Sequence, residues 1–121
     1  MRVLICDDSP PLREVLVETL GAAGFEIVGA ATNGQEGVEL ALELAPDVVL
    51  MDMRMPVMDG LTATRAIRDQ DGPPVILLSA YDDPRHMEDS LAAGALAQLS
   101  KGLPIEEMAA ALNELIGDAH G

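Results

Sequence analysis

Asp47-Val48-Val49-Leu50-Met51-Asp52-Met53-Arg54-Met55-Pro56-Val57-Met58-Asp59-Gly60 is the stretch on which the fold is decided. From Asp47 to Met51 the run is continuously apolar after its first residue, with no polar alternation. A strand with one wet face alternates, whereas a strand covered on both faces does not. The run ends at Asp52 and passes into a Met-rich loop containing Pro56. Asp59 then stands as a candidate cap for a short helix from about Leu61 to Asp69.

Working outward, the same grammar repeats. Upstream lie a β-type run at residues 2 to 6 and a helical segment at 12 to 23, with Leu12, Val15, Leu16 and Leu20 on one face. Pro10 and Pro11 fall in its first turn after Ser9, a plausible cap. A second run, Phe25 to Gly29, precedes a helix from Asn33 to Ala45. That helix opens with an Asn-x-x-Glu box (Asn33, Glu36), turns Val38, Ala41, Leu42 and Ala45 inward, and is broken by Pro46. Downstream, Asp71-Gly72-Pro73-Pro74 turns into a fourth apolar run, Val75 to Leu78. A helix follows from Asp83-Pro84 to about Ala93, then a weak fifth run, Leu96 to Leu99. Pro104 opens the last helix, whose stripe is Ile105, Met108, Ala109, Leu112, Leu115 and Ile116. Five β runs alternating with five helices imply right-handed crossovers and an α/β domain: a mostly parallel sheet with helices on both faces. Residues 1–121 are expected to form a single domain.

Composition narrows the chemistry. The chain has 121 residues, with 7 Lys+Arg against 21 Asp+Glu and a net charge of −14. That balance argues against direct nucleic-acid binding through phosphate neutralisation. Aromatics are 2% of a chain that is 49% hydrophobic, so the core is aliphatic and base-stacking platforms are absent. Cys6 is the lone cysteine, which rules out an intrachain disulfide. No stretch approaches the roughly 18 apolar residues of a membrane span, and the chain reads as cytoplasmic with no membrane partner. Neither a Gly-rich phosphate loop ending in Gly-Lys-Ser/Thr nor zinc-type spacing is present. Six of the seven basic residues are Arg, and the sole lysine is Lys101.

In an open parallel sheet, ligands bind beyond the carboxyl ends of the strands. Strand one ends in Asp7 and Asp8, strand three in Asp52, strand four in Ser79, and strand five in Ser100 and Lys101. Three carboxylates, a hydroxyl and an ammonium group therefore converge on one sheet edge. Crowded carboxylates are tolerable only if protons or a cation share them. An oxygen-preferring cation such as Mg²⁺, with water and a phosphate completing its shell, is the natural answer. Lysine would then neutralise phosphoryl oxygens, and a carboxylate beside the metal could act as nucleophile. The bland readings are that Asp7, Asp8 and Ser9 cap a helix, that Ser79 satisfies a strand end, and that Lys101 is a solvated charge. The Met cluster is most simply gap-filling core.

The set Asp7-Asp8, Asp52 with Met55-Pro56 and Met58-Asp59-Gly60, Ser79-Ala80 and Lys101 resembles the response-regulator receiver domain of two-component signalling. The resemblance spans essentially the whole chain. It implies a flavodoxin-like (βα)5 fold with strand order 2-1-3-4-5. It implies that Asp52 is the phosphoacceptor for a sensor histidine kinase or phosphotransfer protein. Mg²⁺ would be held by Asp8, by Asp7 mainly through water, by Asp52, and by the backbone carbonyl of Arg54. Ser79, Ala80 and Lys101 would bind the phosphoryl group and form the switch, and Arg13 matches the family's Asp-Asp-x-x-x-x-Arg start. Arg54 and Tyr81, each two residues past a site residue, would tune phosphate removal.

Two departures stand out. Family members often carry Tyr or Phe three residues before the lysine; here it is Gln98. The lysine is commonly followed by Pro, but here by Gly102, and Lys-Gly with Pro11-Leu12-Arg13-Glu14 and Gly94-Ala95 resembles the subgroup with helix-turn-helix DNA-binding outputs. The expected function is a phosphorylation-dependent switch, not an enzyme in its own right. Phosphorylation would remodel the helix 4, strand 5 and helix 5 face for an output domain or downstream protein; a homodimer is compatible with it. The alternative is a receiver-like interaction module that is not phosphorylated, with Gln98 as its support. A small aspartyl-phosphate phosphatase is disfavoured because Met53 and Arg54 stand where a general acid would follow the nucleophile.

Overall fold

The apolar runs become strands because only a doubly covered position suits them. The computed structural model describes residues 1–80 and 84–117, the side chains of 84–86 excepted. In it β1 (Arg2–Cys6), β2 (Glu26–Ala31), β3 (Val48–Asp52), β4 (Val75–Ser79) and β5 (Ala97–Ser100) alternate with α1 (Pro10–Ala22), α2 (Gly34–Leu44), α3 (Gly60–Asp69), α4 (Pro84–Ala92) and α5 (Ile105–Leu112). The strands form one sheet of order β2-β1-β3-β4-β5, every pairing parallel. This is the flavodoxin-like arrangement expected.

Successive side chains of each strand point to opposite faces, so one run feeds two cores. Val3, Ile5, Val48, Leu50, Ile76 and Leu78 pack with Leu16 and Leu20 of α1 and Met108 and Leu112 of α5. Their neighbours Leu4, Cys6, Val49, Met51, Val75 and Leu77 pack with Val38 and Ala41 of α2 and Ala63 and Ile67 of α3. That explains why β3 and β4 are buried at every position. Cys6 is an apolar core residue whose thiol burial pushes well above its ordinary titration range, Glu36 and Asp7 adding to the shift.

The caps behave as read at two helices and differently at a third. Asn33 accepts a hydrogen bond from the Glu36 amide at 2.9 Å, and Asp59 accepts one from Thr62 at 2.7 Å. Glu36 returns its carboxylate one residue earlier than a strict capping box, to the Thr32 amide. Ser9 occupies the cap position of α1 but its side chain caps nothing; Pro10 supplies the preset backbone instead.

The apolar stripes are narrower than their periodicity suggests. Val15 and Leu42 lie 52% and 38% exposed. Ala45, read as inward-facing, is an exposed left-handed terminator of α2 with φ 46°. Each lies at the margin of its stripe, where a single sheet face does not reach. β2 runs on to Ala31, and β5 begins at Ala97 rather than Leu96. α5 widens into a π-type turn over Asn113–Gly117 that keeps Ile116 buried.

The segment after β3 doubles back against its own strand. The Gly60 amide donates to the Met53 carbonyl at 2.9 Å. A Cβ on Gly60 would lie 2.2 Å from the Asp52 carbonyl oxygen and 2.9 Å from the Met53 Cα, both backbone atoms. Gly60→Ala is therefore expected to destabilise the fold by about 1–3 kcal/mol through overpacking that no rotamer relieves. Urea denaturation checks this, and a midpoint equal to the parent's would refute the close-approach account.

Candidate functional site

Parallel register carries the strand ends to a common edge. Cys6 stands opposite Met51, Asp52 opposite Leu78, and Ser79 opposite Ser100. The residues at and just past those ends are Asp7, Asp52, Ser79 and Lys101. The Lys101 amide donates to the Ser79 carbonyl at 2.8 Å, continuing the ladder one step beyond β5.

Asp7, Asp52 and Ser79 are buried, while Asp8 is exposed. Lys101 Nζ lies 2.9 Å from Asp52 Oδ1 and 3.7 Å from Asp7 Oδ2, so the lone lysine is the counter-ion of the acidic cluster and not a solvated charge. One carboxylate oxygen from each of Asp7, Asp8 and Asp52 falls within 4.8 Å of the others. The two oxygens of Asp7 have different lives. Oδ1 accepts the Ser9 amide at 2.8 Å; Oδ2 is buried with no hydrogen-bond partner.

Two further contacts hold the geometry. Arg13 Nη1 donates to the Asp7 carbonyl at 2.7 Å, tying α1 to the loop that carries both aspartates. The Arg54 amide donates to Asp52 Oδ1 at 3.3 Å. Above the carboxylates a cleft of about 240 Å³ opens, lined by Asp8, Asp52, Arg54, Ser79, Ala80 and Lys101. Burial raises the Asp52 carboxyl above its ordinary value of 3.8, and nearby Asp7 raises it further. The Lys101 hydrogen bond and charge, and the Arg54 amide, pull the other way without cancelling the effect.

The donor set fits a divalent, oxygen-preferring cation. One ammonium among three carboxylates leaves the cluster anionic, a buried Asp7 oxygen within it has no hydrogen-bond partner, and Asp8 keeps one side open to water. That is the half-open, oxygen-only character Mg²⁺ favours.

The structure thus brings Asp7, Asp8, Asp52, Ser79, Ala80 and Lys101 together with Arg54 at the mouth. Tyr81 lies outside the described residues. Gln98 does not line the cleft; it is buried two strand positions from Ser100 and accepts a hydrogen bond from Ser90 of α4 at 2.5 Å. Sequence reasoning singled out Arg13 only as a motif match, without its bond to the Asp7 carbonyl, and did not find the Ser90 partner. Ser90 carries no signal at all, since a small polar residue in a helix is usually wet.

Residues 3–113 match the family model of the response regulator receiver domain. A protein-glutamate methylesterase/protein-glutamine glutaminase of Hahella chejuensis is 45% identical over 104 residues, 84% of this chain and 27% of its own length. The transcriptional regulatory protein PdtaR of Mycobacterium tuberculosis is 40% identical over 111 residues, 92% of this chain and 54% of its own. The chain therefore spans about half or less of these curated relatives. Among solved structures, the signal receiver domain of the M. tuberculosis response regulator NarL superposes with a TM-score of 0.91 at 36% identity, covering 96% of this chain and 95% of that one. A chain of the CheX-CheY-BeF3-Mg²⁺ complex from Borrelia burgdorferi does so at 0.88 and 30%, covering 95% and 88%.

The raised carboxyl dictates a pH signature. A carboxylate whose pKa rises on folding binds its proton more tightly in the native state, so its contribution to stability is full below 3.8 and is lost as pH climbs through the folded value. In divalent-free buffer, Asp52→Asn is expected to raise the urea midpoint at pH 7, since Lys101 keeps Asp7 as its partner, and to lose that advantage below about pH 3.8. Lys101→Met is expected to cost on the order of 3 kcal/mol at pH 7, because it leaves two buried carboxylates uncompensated. Urea titrations across pH check both; an Asp52→Asn variant less stable than the parent at pH 7 would contradict this electrostatic account.

Proposed function

The chain belongs to the response regulator receiver domain family, and on that premise we propose that it is a phosphorylation-dependent switch in which Asp52 is the phosphoacceptor. One observation supports this above the others: the ammonium of the chain's single lysine lies 2.9 Å from Asp52 Oδ1, inside an acidic cluster at the mouth of a cleft.

In this reading a carboxylate oxygen of Asp52 attacks the phosphorus of a phosphohistidine on a sensor kinase or phosphotransfer protein. The new O–P bond forms as the P–N bond breaks, and the imidazole nitrogen leaves with the electron pair and takes a proton from water. Mg²⁺, held by Asp8, Asp52, the Arg54 backbone carbonyl and, through water, Asp7, would supply positive charge to the phosphoryl oxygens. Everything else falls to the chain itself. Arg13 keeps the aspartate loop in place, and Lys101 follows the negative charge from carboxylate to phosphoryl group. Ser79 donates its hydroxyl to a phosphoryl oxygen beside Ala80. Arg54 at the mouth governs the access of water and hence the lifetime of the phosphate, a role proposed for Tyr81 on its place in the sequence alone.

Residues 1–121 would act as one cytoplasmic receiver unit with no catalytic activity beyond its own phosphoryl transfer and hydrolysis. The readout would be the face of α4, β5 and α5, offered to an output domain, a downstream protein or a second copy. The relatives' names, a methylesterase/glutaminase and a transcriptional regulatory protein, attach to proteins of which this chain spans about half or less, so neither output transfers with the resemblance. A second reading, a receiver-shaped interaction module that is not phosphorylated, draws on Gln98, whose buried hydrogen bond stands where family members often place an aromatic.

Acetyl phosphate with Mg²⁺ separates the two. The expected result is one phosphoryl group per chain by intact mass, absent in Asp52→Asn and reduced at least ten-fold in rate in Asp8→Asn. Arg54→Ala is expected to change the dephosphorylation rate several-fold while leaving phosphorylation Mg²⁺-dependent. No mass increase in the parent protein under these conditions would favour the unphosphorylated module.

A further inference from the structure

The Ser90–Gln98 pair is the one buried polar side-chain contact between a helix and the sheet among the described residues that the phosphoryl chemistry does not use. Ser90 is fully buried on α4, and Gln98 is 5% exposed on β5. Gln98 stands opposite Leu77, on the sheet face that also buries Ala95. The setting is apolar, so neither the hydroxyl nor the amide can exchange its partner for water without leaving the interior.

The position of the pair matters more than its strength. Lys101, the counter-ion of Asp52, is three residues beyond Gln98 on the same chain segment, and its amide holds the Ser79 carbonyl. Ser79 ends β4, and α4 begins at Pro84, so only four residues connect Ser79 to the helix bearing Ser90. α4 thus follows β4 closely in the chain and is fastened in its middle to β5 through Gln98. A shift of the Ser79–Lys101 edge toward the cleft acts on the end of β5, and so on the Gln98 half of the pair. The buried bond makes that response two-state, because a half-broken buried hydrogen bond is the least favourable arrangement.

Resting on the receiver reading of the cleft, we propose that Ser90 and Gln98 form a buried latch that holds α4 against β5 in the unphosphorylated protein and opens when the cleft is filled. Both are positioning residues: neither touches the phosphoryl group, and each acts by setting which arrangement of α4 is favoured. The latch replaces rotation of an aromatic ring with the making and breaking of one hydrogen bond. Its release frees the exposed Met87 and Leu91 of α4 to present a different apolar contact to a partner.

Hydrogen exchange of the full chain, with and without Mg²⁺ and beryllofluoride as the phosphoryl mimic, tests this. In the parent protein the mimic is expected to speed exchange of α4 amides about three- to ten-fold, the range one neutral hydrogen bond controls. In Ser90→Ala those amides are expected to exchange fast from the start, with little further response. The half-saturating concentration of the mimic should fall by a similar factor, since the resting state no longer has a bond to give up. Should Ser90→Ala loosen β1 and β3 as well, the paired variant Ser90→Ala/Gln98→Met, apolar on both sides, is expected to restore α4 protection and abolish its response. Mimic binding with α4 exchange and affinity alike in all variants overturns the latch alone. A parent protein that binds no mimic overturns the receiver reading of the cleft and the coupling with it.

Discussion

Repulsion among Asp7, Asp8 and Asp52 is the constraint around which the remaining features arrange themselves. Their oxygens lie within 4.8 Å of one another, and at an effective dielectric near 20 each such pair repels with an energy of about 3–4 kcal/mol. Lys101 offsets part of this by its contacts at 2.9 and 3.7 Å. A sheet whose strands ran antiparallel would scatter these carboxylates between two edges. Parallel pairing forces them together, and the doubly covered apolar strands that make parallel pairing possible also keep Asp7 and Asp52 away from water. Fold and electrostatic tension thus have one origin in the continuous Val, Leu and Ile runs.

That tension is confined to the site, although the whole molecule is acidic. With a net charge of −14 the chain repels a phosphate-bearing partner at long range. Screening limits this to about 8 Å at physiological salt. Encounter with such a partner would therefore rest on contacts within that range, where the Arg54 side chain and the Lys101 ammonium offset part of the cleft's negative charge. A chain so poor in lysine that places its single one beneath the cleft treats the compact ammonium as a counter-ion, a task for which its flexible stem suits it better than the planar guanidinium.

Much of this is legible in the sequence. The non-alternating runs identified β3 and β4 and hence a two-faced sheet, and once the ends of the runs were known, the convergence of Asp7, Asp8, Asp52, Ser79 and Lys101 followed from topology alone. Asn33 and Asp59 were legible because a cap is a local event, satisfied within three residues. What escaped notice depends on distance in space. Val15 and Leu42 match a helical stripe, yet whether a marginal position is covered depends on the sheet's width and on the neighbouring helix, neither of which is written in the helix. Ser9 had the right residue type for a cap, but the Asp7 carboxylate took its amide and the prolines made a side-chain cap unnecessary. Ser90 and Gln98 are eight residues apart on different elements, and no local pattern pairs a helix serine with a strand glutamine.

The loop after Asp52 shows how the site is kept ready. Val57 holds φ at 69°, a conformation that a β-branched residue avoids, and its side chain is 83% exposed, so no burial of its own compensates. Such strain, of order 1–3 kcal/mol, persists only where the surroundings over-determine it. Two backbone bonds do so here. The Gly34 amide at the start of α2 grips the Met58 carbonyl at 3.0 Å, at a point where a Cβ on Gly34 would lie 2.1 Å from that oxygen, and the Gly60 amide grips Met53. Between these two clasps sits Arg54, whose amide already points at Asp52 Oδ1. In the phosphoryl transfer proposed for Asp52, a loop free to relax Val57 would have to order itself at each transfer, and that ordering would count against it. Held by α2 and by its own strand, it has met that cost during folding.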